Sequence, residues 1–387
     1  MKQKSRKAEN RMGYVAEYLK WRGDLSFSQA PFCEADSLIL TMLSYLSPED
    51  VLPFPGSLRE ISLRDLARIY GRYYRPPEQV GKLSMTARAP ELLALLSVSL
   101  RFSGVRLTGY DVFLDEEEQF AAMTFASGER SVYVAFRGTD ENLSGWREDF
   151  NLACRGSVPA QESAVRYLNR RIGGKTEAVI LGGHSKGGNL AIYAAARADR
   201  AVRSRICEIH SFDGPGFSHE FLNGADYRRI EGRVIHFMPQ GSLVGRLFEH
   251  RAEVRIVESE SRGILQHVPF NWKILGENFV PAESFDTGSE LFSDIMKNWI
   301  GGLEDGEKRL FIDALFDLLE DTGIERTEEL RVELPKVKRL LRSIGAMPRE
   351  SRENLLKLLG MLLKETGSAV QKNVLSFWED DTQHFGE

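Results

Sequence analysis

Apolar residues change their spacing three times along this chain of 387 residues, and each change predicts a different run of elements. From about residue 12 to 102 they recur at helical intervals, with Ile39, Met42, Leu43 and Leu46 in one segment and Leu92, Leu93, Leu95 and Leu96 clustered in another. Between 104 and 136 the pattern becomes that of strands: Val105 to Phe113, Gln119 to Phe125, then Val132 to Phe136, with Gly128 and Glu129 turning between the last two. After that, strand-like and helix-like stretches alternate. Ala160 to Arg171 and Gly187 to Ala198 read as helices; Ala178 to Gly182, Ile206 to Phe212, Val234 to Met238 and Val254 to Val257 read as strands. Such alternation predicts parallel strands joined by crossover helices, the α/β class.

Past Pro281 the strand signal stops. Leu310, Ala314, Leu315, Leu318 and Leu319, and later Leu355, Leu358, Leu359 and Leu362, sit at helical spacing, with a helix stop and restart at Gly345 and Pro348. Three units follow: a helical N-terminal segment over residues 1–103 packing on the core, an α/β core over 104–285, and a helical C-terminal module over 286–387.

Composition narrows the classes of function. A 42% hydrophobic and 28% charged chain is ordinarily globular, and a net charge of −5 offers no general attraction to phosphate backbones or anionic lipid, so nucleic acid is not an expected partner. Cys33, Cys154 and Cys207 are too far apart for a paired metal or redox motif, which fits a reducing compartment. Ala8, Glu9, Asn10 and Arg11 follow the basic run Lys2 to Lys7 where a secretory signal would be apolar, and no apolar run approaches the roughly 20 residues that span a bilayer. A soluble, cytoplasmic protein without a cofactor or metal is expected.

The strongest local signal is Gly183-His184-Ser185-Lys186-Gly187, directly after a strand pattern and directly before a helix. A serine presented there as a nucleophile must sit on a sharp turn, and the residues two before and two after it must be small for strand and helix to approach. The helix that begins behind Ser185 aims its amides at the reacting oxygen, which makes the Lys186 N–H a candidate oxyanion donor. His184 is expected to point away from the site. Gly174-Lys175-Thr176 resembles the end of a phosphate loop, but Asn169 occupies the required glycine position and the segment precedes a strand, so a nucleotide site is excluded.

Val134-Ala135-Phe136-Arg137-Gly138-Thr139-Asp140 places Thr139 just beyond a buried strand, and Trp146 and Asp149 follow. With the Ser185 turn, this resembles the class 3 lipases, whose pattern is an apolar strand, Arg-Gly-Ser/Thr, a tryptophan and an aspartate, then Gly-His-Ser-x-Gly. The resemblance covers roughly residues 105–270. It is closer still to an uncharacterised bacterial lipase-like branch, which shares a helical segment like Tyr14 to Leu46 and the strings Ser211-Phe212-Asp213-Gly214-Pro215-Gly216 and Gln266-His267-x-Pro269-Phe270. It implies an α/β-hydrolase core with a mostly parallel sheet, acyl-ester chemistry without a cofactor, and Thr139 as the oxyanion residue.

A serine hydroxyl needs a base, and the base needs an acid to orient it. The order Ser, acid, His points to His267, in an apparent loop after the last core strand, with His250 as runner-up; His210 and His236 lie within strand patterns and read as core. Asp213 follows the strand Ile206 to Phe212 at its carboxyl end and is the leading acid. The class 3 lipases usually take theirs after the next strand, where Pro239 to Gly245 holds no carboxylate, so Glu249 stands as the alternative. Two readings result: hydrolysis of a small-molecule or lipid ester through an acyl-enzyme on Ser185, or a catalytically reduced fold that binds or scaffolds. Apolar faces at Leu291 to Ile300 and Leu310 to Leu319 are mostly core by this pattern, with peripheral lipid contact as the other use.

Overall fold

In the computed structural model the described residues are 12–52, 60–75, 85–114, 118–126, 128, 130–139, 158–174 and 176–295. Cys154, Trp146, Asp149 and the helices expected beyond Ile295 lie outside them.

The first half supplies four main helices: α1 (Gly13–Arg22), α2 (Glu34–Leu43), α3 (Leu63–Tyr73) and α4 (Met85–Val98). Eight strands then form one sheet in the order β1 to β8: β1 (Ile61–Ser62), β2 (Arg106–Leu114), β3 (Gln119–Ala126), β4 (Ser131–Phe136), β5 (Ala178–His184), β6 (Ile206–Phe212), β7 (Val234–Pro239) and β8 (Glu253–Val257). Strands β1 to β4 pair antiparallel, and β4 to β8 pair parallel. Helix α5 (Pro159–Arg171) links β4 to β5 and α6 (Lys186–Arg197) links β5 to β6. This is the α/β class expected from the strand and helix alternation, with the mostly parallel sheet that the resemblance to an α/β-hydrolase core implies. The two-residue strand β1 and the small hairpin of β9 (Ile274–Leu275) and β10 (Asn278–Phe279) are too short to leave a periodic trace in the sequence.

Parallel strands added always on the same side place their right-handed crossover helices on one face of the sheet. That face is the cluster of Val134, Leu181 and Ile209 with Tyr167, Leu168, Leu190 and Ala194 from α5 and α6. The opposite face, with Tyr133, Ala135, Phe212 and Phe237, would be left to water without another layer. The N-terminal helices fill it: Leu38, Met42 and Leu43 of α2 and Leu92 and Leu96 of α4 share one apolar cluster with those strand residues and with Trp272 and Phe279. At roughly 25 cal/mol per Å² of apolar surface removed from water, such a layer is a principal source of stability.

Helix α2 carries more than apolar residues toward the sheet. Ser37, Thr41 and Tyr45, four residues apart, share one face of the helix and its continuing last turn. Ser37 Oγ lies 2.8 Å from Tyr133 Oη and 2.7 Å from His210 Nδ1, and Thr41 Oγ1 lies 2.6 Å from Tyr133 Oη. Every one of these atoms is buried, so their mutual bonds replace water. Helix α7 (Thr287–Ile295) closes the described chain, with Leu291 exposed and Phe292 buried. No described helix is long and apolar enough to cross a membrane.

Candidate active site

Strand β5 ends at His184 and α6 begins at Lys186, which leaves Ser185 alone to reverse the chain. Its backbone has φ 56° and ψ −131°, a conformation that costs a non-glycine residue on the order of 1–3 kcal/mol. Two main-chain bonds hold it there: Ser185 N–H donates to the Phe212 carbonyl at 3.0 Å, and Gly188 N–H donates to the Ser185 carbonyl at 2.9 Å. Small neighbours are a steric necessity. A Cβ on Gly183 would collide with the Gly187 carbonyl, and one on Gly187 with the Phe136 carbonyl.

The loop leaving β4 presses directly on this turn. A Cβ on Gly138 would stand 3.0 Å from Ser185 Cβ and 2.5 Å from both the His184 carbonyl oxygen and Tyr45 Oη. Thr139, the residue singled out for the oxyanion, follows Gly138 directly and is half-buried. Lys186, whose amide is the other oxyanion candidate, is the first residue of α6 and is buried.

Asp213 follows β6 at φ 51° and is completely buried. Its Oδ2 lies 2.6 Å from His267 Nδ1; its Oδ1 accepts from Ser242 Oγ and, at 3.1 Å, from Gly245 N–H. A carboxylate flanked by three donors satisfies its lone pairs without a permanent cation. Ser242 and Gly245 belong to the segment after β7, the one with no acidic residue. That segment supplies two hydrogen-bond donors to Asp213, one strand earlier. Glu249 takes no part: its Oε2 lies 3.1 Å from His219 Nδ1 on the surface.

His267 ends a short 3-10 turn, Gly263–His267, and its side chain is 11% exposed. Because a carboxylate oxygen can only accept, Nδ1 carries the proton in the neutral ring and Nε2 keeps its lone pair. Its loop is pinned by its neighbour Gln266: the Gln266 carbonyl accepts from Trp272 Nε1 at 2.7 Å, its Oε1 accepts from Gly241 N–H at 3.0 Å, and its Nε2 donates to Asp286 Oδ2 at 3.2 Å. His250, the other candidate base, is engaged elsewhere, with Nε2 2.7 Å from the Gly245 carbonyl and Nδ1 3.4 Å from His236 Nε2. His210 and His236 are buried in β6 and β7, as their strand setting implied.

One expectation is overturned. The His184 ring turns toward the site, 4.5 Å from the His267 ring between centroids, with its Nε2 2.9 Å from the His267 carbonyl and its Nδ1 2.8 Å from Tyr45 Oη. Burial, with His267 beside it, holds the His184 pKa well below the ordinary histidine range. Tyr45 was not singled out in the sequence, and Gln266 stood there only as part of the string that runs to Phe270. The trace that could have exposed Tyr45 is the repeat of hydroxyl residues at 37, 41 and 45.

Ser185 is 3% exposed. A polar cleft of about 1010 Å³, lined by Tyr14, Gln240, Glu260, Arg262, Gln266 and Asp286 among others, flanks the His267 loop and does not include Ser185 in its wall. Among the described residues no group of His, Cys, Asp and Glu comes together that could hold a metal ion.

A family model described as Mbeg1-like matches residues 96–317, a span that contains Thr139, Ser185, Lys186, Asp213 and His267. No curated protein matches. Among solved structures, one titled "Crystal structure of M37 lipase" is similar at 14% identity over 56% of this chain and 70% of that chain, with a TM-score of 0.30.

Proposed function

We propose that this chain, which belongs to the Mbeg1-like family, is a lipase-like serine hydrolase that cleaves a carboxylic ester through an acyl-enzyme on Ser185. The observation that carries this reading is the 2.6 Å contact between His267 Nδ1 and a fully buried Asp213, next to a serine held at φ 56° on a strand-to-helix turn. A packing turn has no need of strain at Ser185 or of a histidine held by a buried carboxylate.

In the proposed reaction Ser185 Oγ attacks the ester carbonyl while His267 Nε2 takes its proton, and Asp213 stabilises the imidazolium that forms. Thr139 and the Lys186 N–H donate to the oxyanion, each such donor being worth about 10²- to 10³-fold in rate. His267 returns the proton to the departing alcohol. A water molecule, deprotonated by the same nitrogen, then releases the acid and regenerates the serine. A fluorophosphonate probe is expected to label the wild-type protein, and labelling that persists unchanged in Ser185→Ala would refute the assignment. p-Nitrophenyl esters of increasing acyl length then separate a small-ester from a lipid substrate, and liposome flotation tests lipid contact directly.

A second reading, that the fold is retained for binding or scaffolding, is favoured by the 3% exposure of Ser185. It predicts no probe labelling and no turnover of short or long esters by the purified full chain.

A further inference from the structure

We infer that Tyr45 and His184 are positioning residues for the candidate centre: Tyr45 O–H donates to His184 Nδ1, and His184 Nε2–H donates to the main-chain carbonyl of His267, which fixes that histidine against the Ser185 turn. The inference rests on the reading of His267 as the base. It makes the N-terminal helical layer a working part of the site.

The direction of both bonds follows from chemistry. A main-chain carbonyl can only accept, so at 2.9 Å the proton between His184 and His267 must sit on His184 Nε2. A buried imidazole without a carboxylate partner at either of these contacts is neutral, and a neutral ring with Nε2–H has a bare Nδ1. Tyr45 Oη, 2.8 Å away, must then be the donor. Each bond therefore allows one tautomer only. Position adds to this. His184 precedes Ser185 directly, its ring lies 4.5 Å from that of His267, and Tyr45 Oη also packs where a side chain on Gly138 would be, one residue from Thr139. One phenol thus touches the backbone on the oxyanion side and reaches the base loop through a single ring.

The neighbouring hydroxyls show that this is a directed arrangement. Ser37 and Thr41 spend their bonds on Tyr133 and His210 within the sheet, and only the third residue of the row reaches the turn. On His267 two restraints act together: the carboxylate of Asp213 holds the ring through Nδ1, and His184 holds the backbone that carries it.

The test has two parts on the full-length protein. In ¹⁵N-histidine-labelled protein near neutral pH, the resonances lost in His184→Gln identify His184. They are expected to report the Nε2–H tautomer, and in Tyr45→Phe the bare Nδ1 resonance is expected to move as its donor disappears. An Nδ1–H tautomer, or an Nδ1 resonance unmoved in Tyr45→Phe, overturns the inference whether or not the protein is a hydrolase. The second part follows fluorophosphonate labelling of Ser185. Tyr45→Phe keeps the ring and is expected to slow the maximal labelling rate about tenfold at unchanged probe affinity, the worth of one buried hydrogen bond. His184→Leu is expected to lose more, and His184→Gln, whose amide can donate in place of Nε2–H, to recover most of that loss. Equal labelling by wild type, Tyr45→Phe and His184→Leu overturns the positioning role. Absence of labelling in the wild type refutes the hydrolase reading instead, and the resonance experiment still decides the two bonds.

Discussion

Among the described residues two aspartates are completely buried, Asp36 in the N-terminal helical layer and Asp213 at the end of β6, and their partners differ in kind. Asp36 faces Arg101, which donates Nε–H at 2.7 Å and a second bond from Nη2, while Tyr18 Oη adds a third at 2.7 Å and Cys33 N–H a fourth at 2.9 Å. Arg101 spends its remaining donors on the carbonyls of Leu25, Ala30 and Pro31. All five of its N–H groups are used, and the guanidinium has no proton to exchange. Asp213 has neutral donors and one histidine that keeps 11% of its side chain exposed. Burial of a carboxylate therefore does not identify a reactive site. What distinguishes the two is a partner whose proton can move.

The largest effect that separates them is expected from Asp213→Asn. An amide nitrogen facing His267 Nδ1 would force the other tautomer and protonate the nitrogen that the proposed reaction uses as base, so fluorophosphonate labelling should fall by about 10³- to 10⁴-fold while the fold is retained. If this variant unfolds the chain and labelling per folded molecule is unchanged, Asp213 is a structural carboxylate and the contrast disappears.

The mirror experiment is Asp36→Ala. It leaves the Arg101 guanidinium buried without its counter-ion, and urea unfolding is expected to show a loss of about 3–5 kcal/mol with the labelling rate of the folded fraction unaltered. A loss below about 1 kcal/mol would mean that Arg101 reaches water in the variant, and that this region is less closed than its geometry indicates.

The sequence makes one of these aspartates legible and hides the other for a physical reason. Chain order and strand ends led to Ser185, Asp213 and His267 because a nucleophile turn and the carboxyl end of a strand impose local residue choices. Buried apolar runs gave β2 to β8 within a residue or two at most ends. The Asp36–Arg101 pair joins residues 65 positions apart and leaves no periodicity. Nor could local pattern show that Ser242 and Gly245 donate to Asp213, because the relation is between two loops. His184 was misjudged because strand alternation fixes the side of the sheet on which a residue lies, but not the partner a long ring finds there. The helical character of α1 to α4 was readable, whereas their role as cover for one face follows only from the crossover helices α5 and α6 occupying the other.

Acidification should act on one of the two regions more than on the other. Burial first, and a neighbouring histidine second, hold His184 and His236 well below the ordinary range in the folded state. The unfolded chain takes up their protons as pH falls below about 6.5 and the folded chain does not, so stability is complete above that pH and is lost below it, until the folded pKa is reached. Each residue contributes at most about 1.4 kcal/mol per pH unit. Urea unfolding at pH 7.5 and 5.5 is expected to show this loss in the wild type and a smaller one in His236→Asn. The Asp36–Arg101 pair contributes no histidine to that window, so Asp36→Ala should lower both curves equally. A pH slope identical in the wild type and in His236→Asn would show that His236 is not a source of the acid sensitivity.

The smallest expected effect sharpens the comparison from outside. Glu249 was the alternative acid in the sequence, and it follows the segment that binds Asp213, yet its side chain is 51% exposed and its partner His219 is 79% exposed. A side-chain contact so open to water is worth at most about 0–1 kcal/mol, because solvent screens the attraction and two side chains must give up freedom to meet. Glu249→Gln should therefore leave stability within about 0.5 kcal/mol and the labelling rate equal to that of the wild type. Asp213 and Glu249 have the same functional group on loops that meet through the Phe217 and Glu249 main chains. A labelling loss in Glu249→Gln that approached the loss in Asp213→Asn would mean that the acid works through long-range charge, and that the buried contact at 2.6 Å is not what orients His267.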